Sequence, residues 1–369
     1  MHVPFCRRKC GYCSFYSVVP KGNIMGRYTT CLSSELERRV QYDELSTLYI
    51  GGGTPSMIPA DFWRGFLKEV NPQLKSGAEV TIEVNPGTAE GDQLYRLRAA
   101  GFNRLSVGVQ SFDDGCLRLL GRIHDAAEAQ DTVRKARKAG FENLSLDLIY
   151  GIPGQTQEMW NRDLRRALEL DPEHISCYQL TLEPHVPMYR RTVRGELNPC
   201  DDGWAAKMYF AADEILNEAG YEHYEVSSYC RDGDLRSRHN IRYWRRLSYT
   251  GLGPSAHSFD GSLRSWNVPS VADYANRMEK GETPVKGSEV PDERQQALEM
   301  LMLGLRWAGG VNIGLMGKRT GLVPKDSSVN TLLKREHVTV KDNTLVPTAG
   351  GMLFADGNAL MLWENLVNC

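Results

Sequence analysis

Residues 46–55 read STLYIGGGTP, a short apolar run that ends in three glycines. Such a run, rich in β-forming residues and bounded by Gly and Pro, predicts a buried strand. The segment that follows, 61–75, has a helical pattern, and a second strand pattern, EVTIEVNP, begins at residue 79. A strand, a helix and another strand in this order predict parallel strands joined by a right-handed crossover.

The same alternation extends on both sides of this unit, from residue 26 to about residue 220. Strands are predicted at 46–53, 79–86, 103–112, 142–151 and 173–184. Helices are predicted at 26–43, 61–75, 89–100, 125–140 and 157–170. If residues 1–5 supply a short first strand, six βα units result. The expected fold class is therefore α/β, as an open parallel sheet or a barrel.

The later part of the chain has a different character. Residues 227–270 are loop-rich and dense in arginine, and 293–306 predict an amphipathic helix. The stretch HVTVKDNTLVPT (337–348) predicts a hairpin that turns at Asp342 and Asn343. A helix followed by such a hairpin indicates a small α+β unit of winged-helix type. Three regions are expected: a core at 1–225, a closing segment with a connector at 226–290, and a winged-helix-like domain at 291–369.

Composition limits the partners that the chain is expected to bind. The formal net charge is -2, so no overall positive field favours nucleic acid, and basic residues are few in the C-terminal region. No apolar run reaches the ~18 residues of a membrane-spanning helix, and no signal peptide is recognisable. The sequence therefore predicts a cytoplasmic protein that binds no nucleic acid and associates with membranes peripherally at most.

The nine cysteines fall into two groups. Six of them have no regular spacing: Cys31, Cys116, Cys177, Cys200, Cys230 and Cys369. A disulfide framework is not expected in a chain this long with ample apolar content. The other three, Cys6, Cys10 and Cys13, occur within MHVPFCRRKCGYCSF at residues 1–15. Their clustering indicates metal binding in a reducing compartment.

The spacing C-x3-C-x2-C matches neither a zinc knuckle nor the ferredoxin pattern. A [4Fe–4S] cluster takes four ligands, so three thiolates would leave one iron open to a bound molecule. The alternative from the residues themselves is a zinc site of three cysteines completed by His2. Both readings remain open at this point.

Glycines or polar residues occur where each predicted strand ends. They are Gly51, Gly52, Gly53, Thr54, Glu83, Asn85, Gln110, Ser111, Asp147, Thr181 and Glu183. The carboxyl ends of parallel strands meet at one edge, where such folds bind ligands. Glycines permit close backbone approach, and carboxylates and amides bind amines or ribose hydroxyls. Together with an open iron, these residues predict a pocket for a nucleoside that carries an amino acid.

The cysteine motif followed by GGGTP resembles the radical S-adenosylmethionine (SAM) superfamily, whose core is a partial (βα)6 barrel. Further motifs extend the resemblance over nearly the whole chain: IGGGTPS, EVNPGT, SVGVQSF, LGRIHD and DLIYGIPGQT. In this order they are similar to the oxygen-independent coproporphyrinogen III oxidase family and its HemW-type relatives. The fold that this implies is a partial (βα)6 barrel with a small winged-helix-like C-terminal domain.

The resemblance implies a role for each matching residue. Cys6, Cys10 and Cys13 would ligate a [4Fe–4S] cluster whose open iron binds the amino and carboxylate groups of SAM. The residues that would contact SAM are Tyr12, Gly52, Gly53, Thr54, Glu83, Gln110, Arg122, Asp147, Thr181 and His257. Reduction of the cluster would cleave SAM to methionine and a 5′-deoxyadenosyl radical, and the barrel would orient the cofactor and exclude water. An electron-donor protein is an implied partner.

Two features distinguish the branches of this family. The oxidases carry another cysteine two places after the third, where this chain has Phe15. The segment His239-Asn240-x-x-Tyr243-Trp244 is similar to the HNxxYW motif of the HemW type, which is thought to bind haem and deliver it to acceptor proteins. His239 offers an imidazole to haem iron, and nearby arginines could pair with the propionates. These are Arg236, Arg238, Arg242, Arg245 and Arg246.

The sequence therefore predicts a radical SAM protein that binds haem transiently and passes it to an acceptor protein. The first alternative is oxidative decarboxylation of coproporphyrinogen III. The second is a non-catalytic iron–sulfur electron-transfer module, against which the polar strand ends argue. Whether the chain catalyses a reaction of its own is left open. Its sequence resembles the oxidases, whereas its HNxxYW-like segment resembles that of the haem chaperones.

Overall fold

The computed structural model describes residues 1–40, 44–89 and 91–369 of the chain. The chain divides into two compact units. The first unit comprises Met1–Ile215, Thr250–His257 and Trp266–Gly287. The second unit comprises Leu216–Tyr249, Ser258–Ser265 and Ser288–Cys369. The three-region division after residues 225 and 290 stays a prediction.

The first unit contains six parallel strands that pair in chain order. They are β1 (His2–Val3), β2 (Leu45–Gly52), β3 (Leu74–Val84), β4 (Arg104–Gln110), β5 (Leu144–Tyr150) and β6 (His174–Gln179). Nearly every residue of β4 and β5 is buried, as expected for parallel strands covered on both faces. The prediction of an α/β fold with the six parallel strands of a partial barrel is confirmed.

Helices connect and flank these strands. They are α1 (Ile24–Arg39), α2 (Ala60–Val70), α3 (Gln93–Ala100), α4 (Asp114–Leu120), α5 (Ala126–Lys138), α6 (Gln157–Glu169), α7 (Pro187–Val193) and α8 (Asp202–Glu218). Their apolar faces bury large rings against the sheet, among them Trp63 and Trp160. The indole of Trp160 also donates to the Met208 carbonyl at 2.8 Å, so this buried ring leaves no unpaired N–H.

The predicted element ends differ from the observed ones in instructive places. The strand predicted at 103–112 ends at Gln110, because Gln110 has a φ of 69° that turns the chain out of the sheet. Helix α4 was not predicted; the Asp113 side chain caps it by accepting from the Cys116 N–H at 3.0 Å. The helix predicted at 26–43 ends at Arg39, and its residues 41–43 lie outside the described residues, as does Glu90 of the helix predicted at 89–100.

The rest of the chain forms shorter elements. These are β7 (Glu222–Glu225), β8 (Ser228–Cys230), α9 (Arg238–Trp244), β9 (His257–Phe259), β10 (Arg264–Asn267), α10 (Val271–Glu279), β11 (Val285–Glu289), α11 (Glu293–Gly304), β12 (Val311–Asn312), α12 (Ile313–Thr320), β13 (Leu322–Pro324), α13 (Asp326–Lys334), β14 (Val338–Lys341), β15 (Thr344–Pro347), α14 (Ala349–Leu353), α15 (Ala355–Glu364) and β16 (Leu366–Asn368). Among the helices described above and here, none is long and apolar enough to cross a membrane.

The C-terminal part of the second unit has the arrangement that the sequence predicts. Strands β14 and β15 form a hairpin, and β12 pairs with β15 on its other side. Asp342 and Asn343 have φ values of 49° and 58°, as a two-residue hairpin turn with both central residues left-handed requires. Helices α11, α12, α13 and α15 bury Leu301, Met316 and Leu332 in a shared core. The prediction of a small winged-helix-like α+β domain is confirmed.

A buried carboxylate joins three segments of the first unit. Glu35 on α1 is fully buried and accepts hydrogen bonds from the Arg39 guanidinium at 2.7 Å, the Gly253 N–H at 2.8 Å, the Asn267 amide at 2.8 Å and the Tyr274 hydroxyl at 2.7 Å. All four partners are donors, so the negative charge is compensated on every side. Glu35 thus attaches segments 250–257 and 266–287 to α1.

We predict that Glu35→Ala destabilises the protein by about 3 kcal/mol, because three buried donors and the half-buried Arg39 guanidinium lose their acceptor. Urea unfolding followed by circular dichroism measures the loss. Glu37→Ala, on the exposed face of the same helix, is the matched control and should change the free energy of unfolding by less than about 0.5 kcal/mol. Equal stability of the two variants would contradict this role for Glu35.

A second buried carboxyl group lies in the second unit. Glu225 ends β7 and is 2% exposed, and the adjoining Val226 N–H donates to the Arg306 carbonyl at 2.8 Å. Burial disfavours the charged form and raises the pKa of Glu225 to about 7. In the unfolded chain this carboxyl titrates near its ordinary value of about 4.3. The folded state therefore holds the proton over a pH range in which the unfolded state has lost it.

The difference between the folded-state and unfolded-state pKa of Glu225 makes the stability of the protein depend on pH. Since the folded-state pKa is the higher one, the stabilisation is complete at acidic pH and is lost as pH rises from about 4.3 through 7. The Glu225→Gln variant mimics the protonated form, so we expect it to lose less stability than the wild type between pH 5 and pH 8. Urea midpoints at both pH values, measured on the two proteins, test this. Parallel pH profiles would contradict it.

Candidate functional site

A cavity of about 420 Å³ lies at the carboxyl ends of the parallel strands, lined by residues of the first unit. Twelve of the residues predicted to bind the cluster or SAM line it: Cys6, Cys10, Tyr12, Cys13, Gly52, Gly53, Thr54, Glu83, Gln110, Arg122, Asp147 and Thr181. His257 is placed elsewhere; it is exposed, with its ring 6.1 Å from that of Trp266. The structure therefore brings together the predicted residues from the cysteine loop and the strand ends.

The cysteine loop is held at both ends by backbone hydrogen bonds. The Cys6 N–H donates to the Val18 carbonyl at 3.0 Å, and the Gly11 carbonyl accepts from the Met188 N–H at 2.9 Å. Two of the thiol sulfurs have side-chain donors nearby: Thr54 Oγ1 lies 3.7 Å from Cys6 Sγ, and Arg122 lies 3.8 Å from Cys10 Sγ. Donors of this kind stabilise a thiolate, which is the form that binds a metal.

Within residues 1–40, 44–89 and 91–369, no group of three His, Cys, Asp or Glu side chains converges closely enough for a single metal ion. A [4Fe–4S] cluster does not require its thiolates to converge on one ion, because each thiolate binds a different iron. His2, the fourth ligand in the zinc alternative, directs its Nδ1 at the backbone carbonyl of Pro254.

The three glycines at the end of β2 are required by close approaches of other groups. A Cβ on Gly53 would lie 2.5 Å from the Phe5 carbonyl oxygen, and one on Gly51 would lie 2.5 Å from the Glu83 carboxylate. Gly52 has a φ of 115°, which side chains rarely permit. Gly52 and Gly53 therefore let the segment before Cys6 lie directly against the end of β2, and Gly51 leaves room for the Glu83 carboxylate.

Two carboxylates line the cavity from β3 and β5. Glu83 accepts from the Tyr49 hydroxyl at 2.7 Å and from the Gly52 N–H at 3.0 Å. Asp147 accepts from the Ser106 hydroxyl at 2.7 Å. Burial raises the pKa of both carboxyl groups, partly offset by these hydrogen bonds. Carboxyl groups of this kind can accept hydrogen bonds from an ammonium group or from hydroxyls of a bound ligand.

The only guanidinium predicted to contact SAM, that of Arg122, is held by neutral groups. Asn85 donates to Thr54 Oγ1 at 2.9 Å and accepts from Arg122, which also donates to the Gly108 carbonyl at 2.9 Å. Arg122 Nε is buried and has no hydrogen-bond partner within the described part of the chain. The guanidinium thus lines the cavity among neutral neighbours, which suits a carboxylate.

Gln110 marks a strained position at the edge of the cavity. Its backbone lies in the left-handed region, with a φ of 69°, and the pairing of β4 with β5 shifts register between Val107 and Gln110. A non-glycine residue in this conformation costs about 1 kcal/mol or more, and such residues cluster at functional sites. The bulge directs the end of β4 away from the regular ladder.

Three side chains that line the cavity are absent from the predicted cluster and SAM contacts, although Asn85 is among the strand-end residues from which the pocket is predicted. Tyr49, Asn85 and Ser106 line the cavity and hold the predicted residues in place. The period-two pattern of strands carries a signal that could have identified two of them. Tyr49 is two residues before Gly51, and Ser106 is four residues before Gln110, so each shares the face of its strand with the cavity edge. Asn85 stands at a strand end and is two residues after Glu83.

The residues predicted to bind haem lie on one helix of the second unit, α9. Ser237 caps this helix by accepting from the Asn240 N–H at 3.3 Å. His239 Nε2 lies 3.0 Å from the Tyr243 hydroxyl, one turn along, and the Trp244 indole N–H is buried without a partner among the described residues. Burial lowers the pKa of His239 to about 3. The imidazole is therefore neutral, which is the form that binds a metal.

Two of the arginines predicted to bind propionates already have acidic partners. Arg236 pairs with Glu222, and Arg246 pairs with Glu299 at 2.8 Å while its guanidinium lies over the Phe259 ring. Arg242 donates to the Ser248 carbonyl at 2.6 Å. The other two, Arg238 and Arg245, are exposed.

Residues 1–167 match the model of the radical SAM superfamily. The haem chaperone HemW of Lactococcus lactis is 37% identical over 84% of this chain and 81% of its own. That of Mycobacterium tuberculosis is 33% identical over 96% of this chain and 92% of its own. The solved coproporphyrinogen III oxidase HemN of Escherichia coli, 24% identical, superposes with a TM-score of 0.82 over 98% of this chain and 88% of that chain, which shows the same fold. The chain belongs to the HemW family of the radical SAM superfamily.

Proposed function

We propose that this protein binds haem and delivers it to acceptor proteins, and that it contains a [4Fe–4S] cluster and SAM. The observation that supports this most strongly is the 33–37% identity, over most of the chain, to relatives named haem chaperones. The superfamily implies the cluster and SAM. The acceptor and the electron donor are proposed partners.

Cys6, Cys10 and Cys13 would hold the cluster. They line one cavity, and the hydroxyl of Thr54 and the guanidinium of Arg122 lie within 3.8 Å of two of their sulfurs. Hydrogen bonds to sulfur tune the reduction potential of such clusters. Three thiolates leave one iron for SAM, so the donor set fits a cluster that also binds a cofactor.

The strand ends would hold SAM. Glu83 and Asp147 would accept from its amine or hydroxyls, and the guanidinium of Arg122, which lines the same cavity, would pair with its carboxylate. When bound to a reduced cluster, SAM supplies reductive cleavage as its chemistry. The chain's own residues orient the cofactor, because each is already held by a neighbour before the ligand arrives.

His239 would approach haem iron as a neutral imidazole, since burial lowers its pKa to about 3. Its Nε2 now contacts the Tyr243 hydroxyl, so a haem that is bound through Nε2 displaces that contact. A ligand that exchanges one protein contact for another suits a carrier, which has to release haem as well as bind it.

The cluster assignment predicts the behaviour of two cysteine variants. Anaerobic reconstitution of the wild type should give about four irons per chain, and Cys10→Ser should fail to retain them because one iron loses its thiolate. Cys200→Ser, which changes a half-exposed cysteine that does not line the cavity, is the control and should retain the cluster. Iron analysis and visible absorption measure the result. A full cluster in Cys10→Ser would rule out the ligand assignment.

The haem assignment predicts saturable binding that depends on α9. We expect His239→Ala to weaken haem binding by about tenfold, the equivalent of about 1.4 kcal/mol, in a titration followed by the Soret band. His185→Ala, which removes an exposed histidine of the first unit, is the control and should bind as the wild type does. Incubation with reductant, SAM and coproporphyrinogen III should give no protoporphyrinogen; its formation would favour the oxidase instead.

A further inference from the structure

A row of polar side chains crosses the parallel sheet at the edge of the cavity. Glu83, Ser106, Ser145 and His174 are paired neighbours on β3, β4, β5 and β6. Glu83 and Ser106 line the cavity, whereas Ser145 and His174 do not and are 3% and 1% exposed. Bulky apolar side chains usually fill the inside of a barrel of parallel strands, so a serine and a histidine buried here need a physical reason.

Hydrogen bonds connect this row to Asp147, which stands two residues after Ser145 and therefore on the same face of β5. Asp147 Oδ2 accepts from the Ser106 hydroxyl at 2.7 Å, and Asp147 Oδ1 accepts from the Ser145 hydroxyl at 3.4 Å. Ser145 Oγ in turn lies 2.8 Å from His174 Nδ1. A single serine thus joins His174 to a carboxylate that lines the cavity.

The donors and acceptors along this path determine which ring nitrogen of His174 carries a hydrogen. A serine hydroxyl has one hydrogen to donate, and an ionised carboxylate can only accept. The Ser145 hydrogen therefore points to Asp147, and Ser145 Oγ has to accept from His174 Nδ1. Burial, and after it the charge of Arg104, lowers the pKa of His174 well below its usual value. The ring is therefore a neutral imidazole with its hydrogen on Nδ1.

We propose that His174 and Ser145 are positioning residues for SAM binding: His174 Nδ1–H donates to Ser145 Oγ, and the Ser145 hydroxyl donates to Asp147 Oδ1 and holds this carboxylate in the orientation that SAM requires. This inference rests on the proposed function, because it takes Asp147 as a contact of SAM. Neither positioning residue touches the cofactor, since neither lines the cavity.

The hydrogen bonds fix the plane of the Asp147 carboxylate. Its two oxygens are held by different strands, Oδ2 by Ser106 of β4 and Oδ1 by Ser145 of β5, so a rotation of the carboxylate would break both contacts. A serine hydroxyl by itself rotates and can donate in several directions. The donor on His174 occupies one side of Ser145 Oγ, which leaves the Ser145 hydrogen directed at Asp147. Both positioning side chains are neutral, so Asp147 keeps its charge for the ligand.

The test measures the dissociation constant of SAM by anaerobic equilibrium dialysis against the reconstituted protein. Four variants are compared with the wild type. Ser145→Ala removes the hydroxyl, His174→Leu removes the imidazole, and the double variant removes both. His174→Asn is the conservative replacement, because its side-chain amide retains an N–H donor on the second carbon of the side chain. Ser328→Ala, which changes a buried serine of the second unit, is the matched control.

We expect Ser145→Ala and His174→Leu each to weaken SAM binding about fivefold, as the loss of one neutral hydrogen bond does. Because His174 acts through Ser145, the double variant should also lose about fivefold, and not the roughly 25-fold that two independent losses would give. His174→Asn should bind SAM within about twofold of the wild type, and Ser328→Ala should bind as the wild type does. Thermal unfolding of each variant separates a loss of stability from a loss of affinity.

Independent losses in the double variant, a loss in His174→Asn as large as that in His174→Leu, or unchanged binding in Ser145→Ala would each overturn the proposal. If His174→Leu does not fold, Ser145→Ala and His174→Asn still decide the outcome. A merely structural role would lower the stability of Ser145→Ala and leave its affinity for SAM unchanged.

A second measurement needs no SAM. The nitrogen-15 chemical shifts of the full chain labelled at histidine distinguish a protonated ring nitrogen from a bare one, and His174→Asn identifies the His174 signals by their absence. We expect a neutral ring that is protonated on Nδ1. Protonation on Nε2 alone would overturn the proposal, because Ser145 would then donate to His174 and not to Asp147. If the wild type binds no SAM, the cofactor assignment fails, whereas these shifts still test the hydrogen bonds of His174 and Ser145.

Discussion

The close approach of Gly53 to the backbone before Cys6 is the contact on which the cavity depends. Gly53 donates its N–H to the Val3 carbonyl at 2.7 Å, and a Cβ at this position would lie 2.5 Å from the Phe5 carbonyl oxygen. Because β1 can lie this close to the end of β2, Cys6 arrives beside Thr54, whose hydroxyl is 3.7 Å from the sulfur. A side chain at Gly53 would separate the thiols from the strand ends.

The charged groups of the cavity are arranged before any ligand binds. Tyr49 and Ser106 donate to the two carboxylates, and Asn85 joins Arg122 to Thr54. Each of these supporting residues is neutral, so it orients a charge without cancelling it. A preorganised site of this kind spends little binding energy on rearranging its own side chains. The same groups hold two carboxylates and a guanidinium in half-buried positions, at a desolvation cost that hydrogen bonds partly offset.

The parallel fold could be predicted because its signal is repeated in every βα unit, and an error at one strand end does not alter the others. The ends were less predictable. Gln110 terminates β4 by adopting a left-handed conformation that an ordinary strand pattern does not reveal. His257 was grouped with the SAM residues by resemblance, but the structure places it next to Trp266 and outside the cavity lining. Pairing of Arg236 and Arg246 with glutamates likewise depends on side chains distant in the sequence.

The sequence by itself determined the alternation of strands and helices, the cysteine spacing and the polar residues at the strand ends, because each is a local pattern. Only the tertiary structure decided which of these residues share a cavity and what supports them. Asn85 joins Thr54 and Arg122 across separations of 31 and 37 residues, which no local spacing specifies. The tertiary structure also decided the exposure of Arg8, Lys9 and Phe15. Exposure depends on which side chains the rest of the chain covers, and the residue type alone does not determine this.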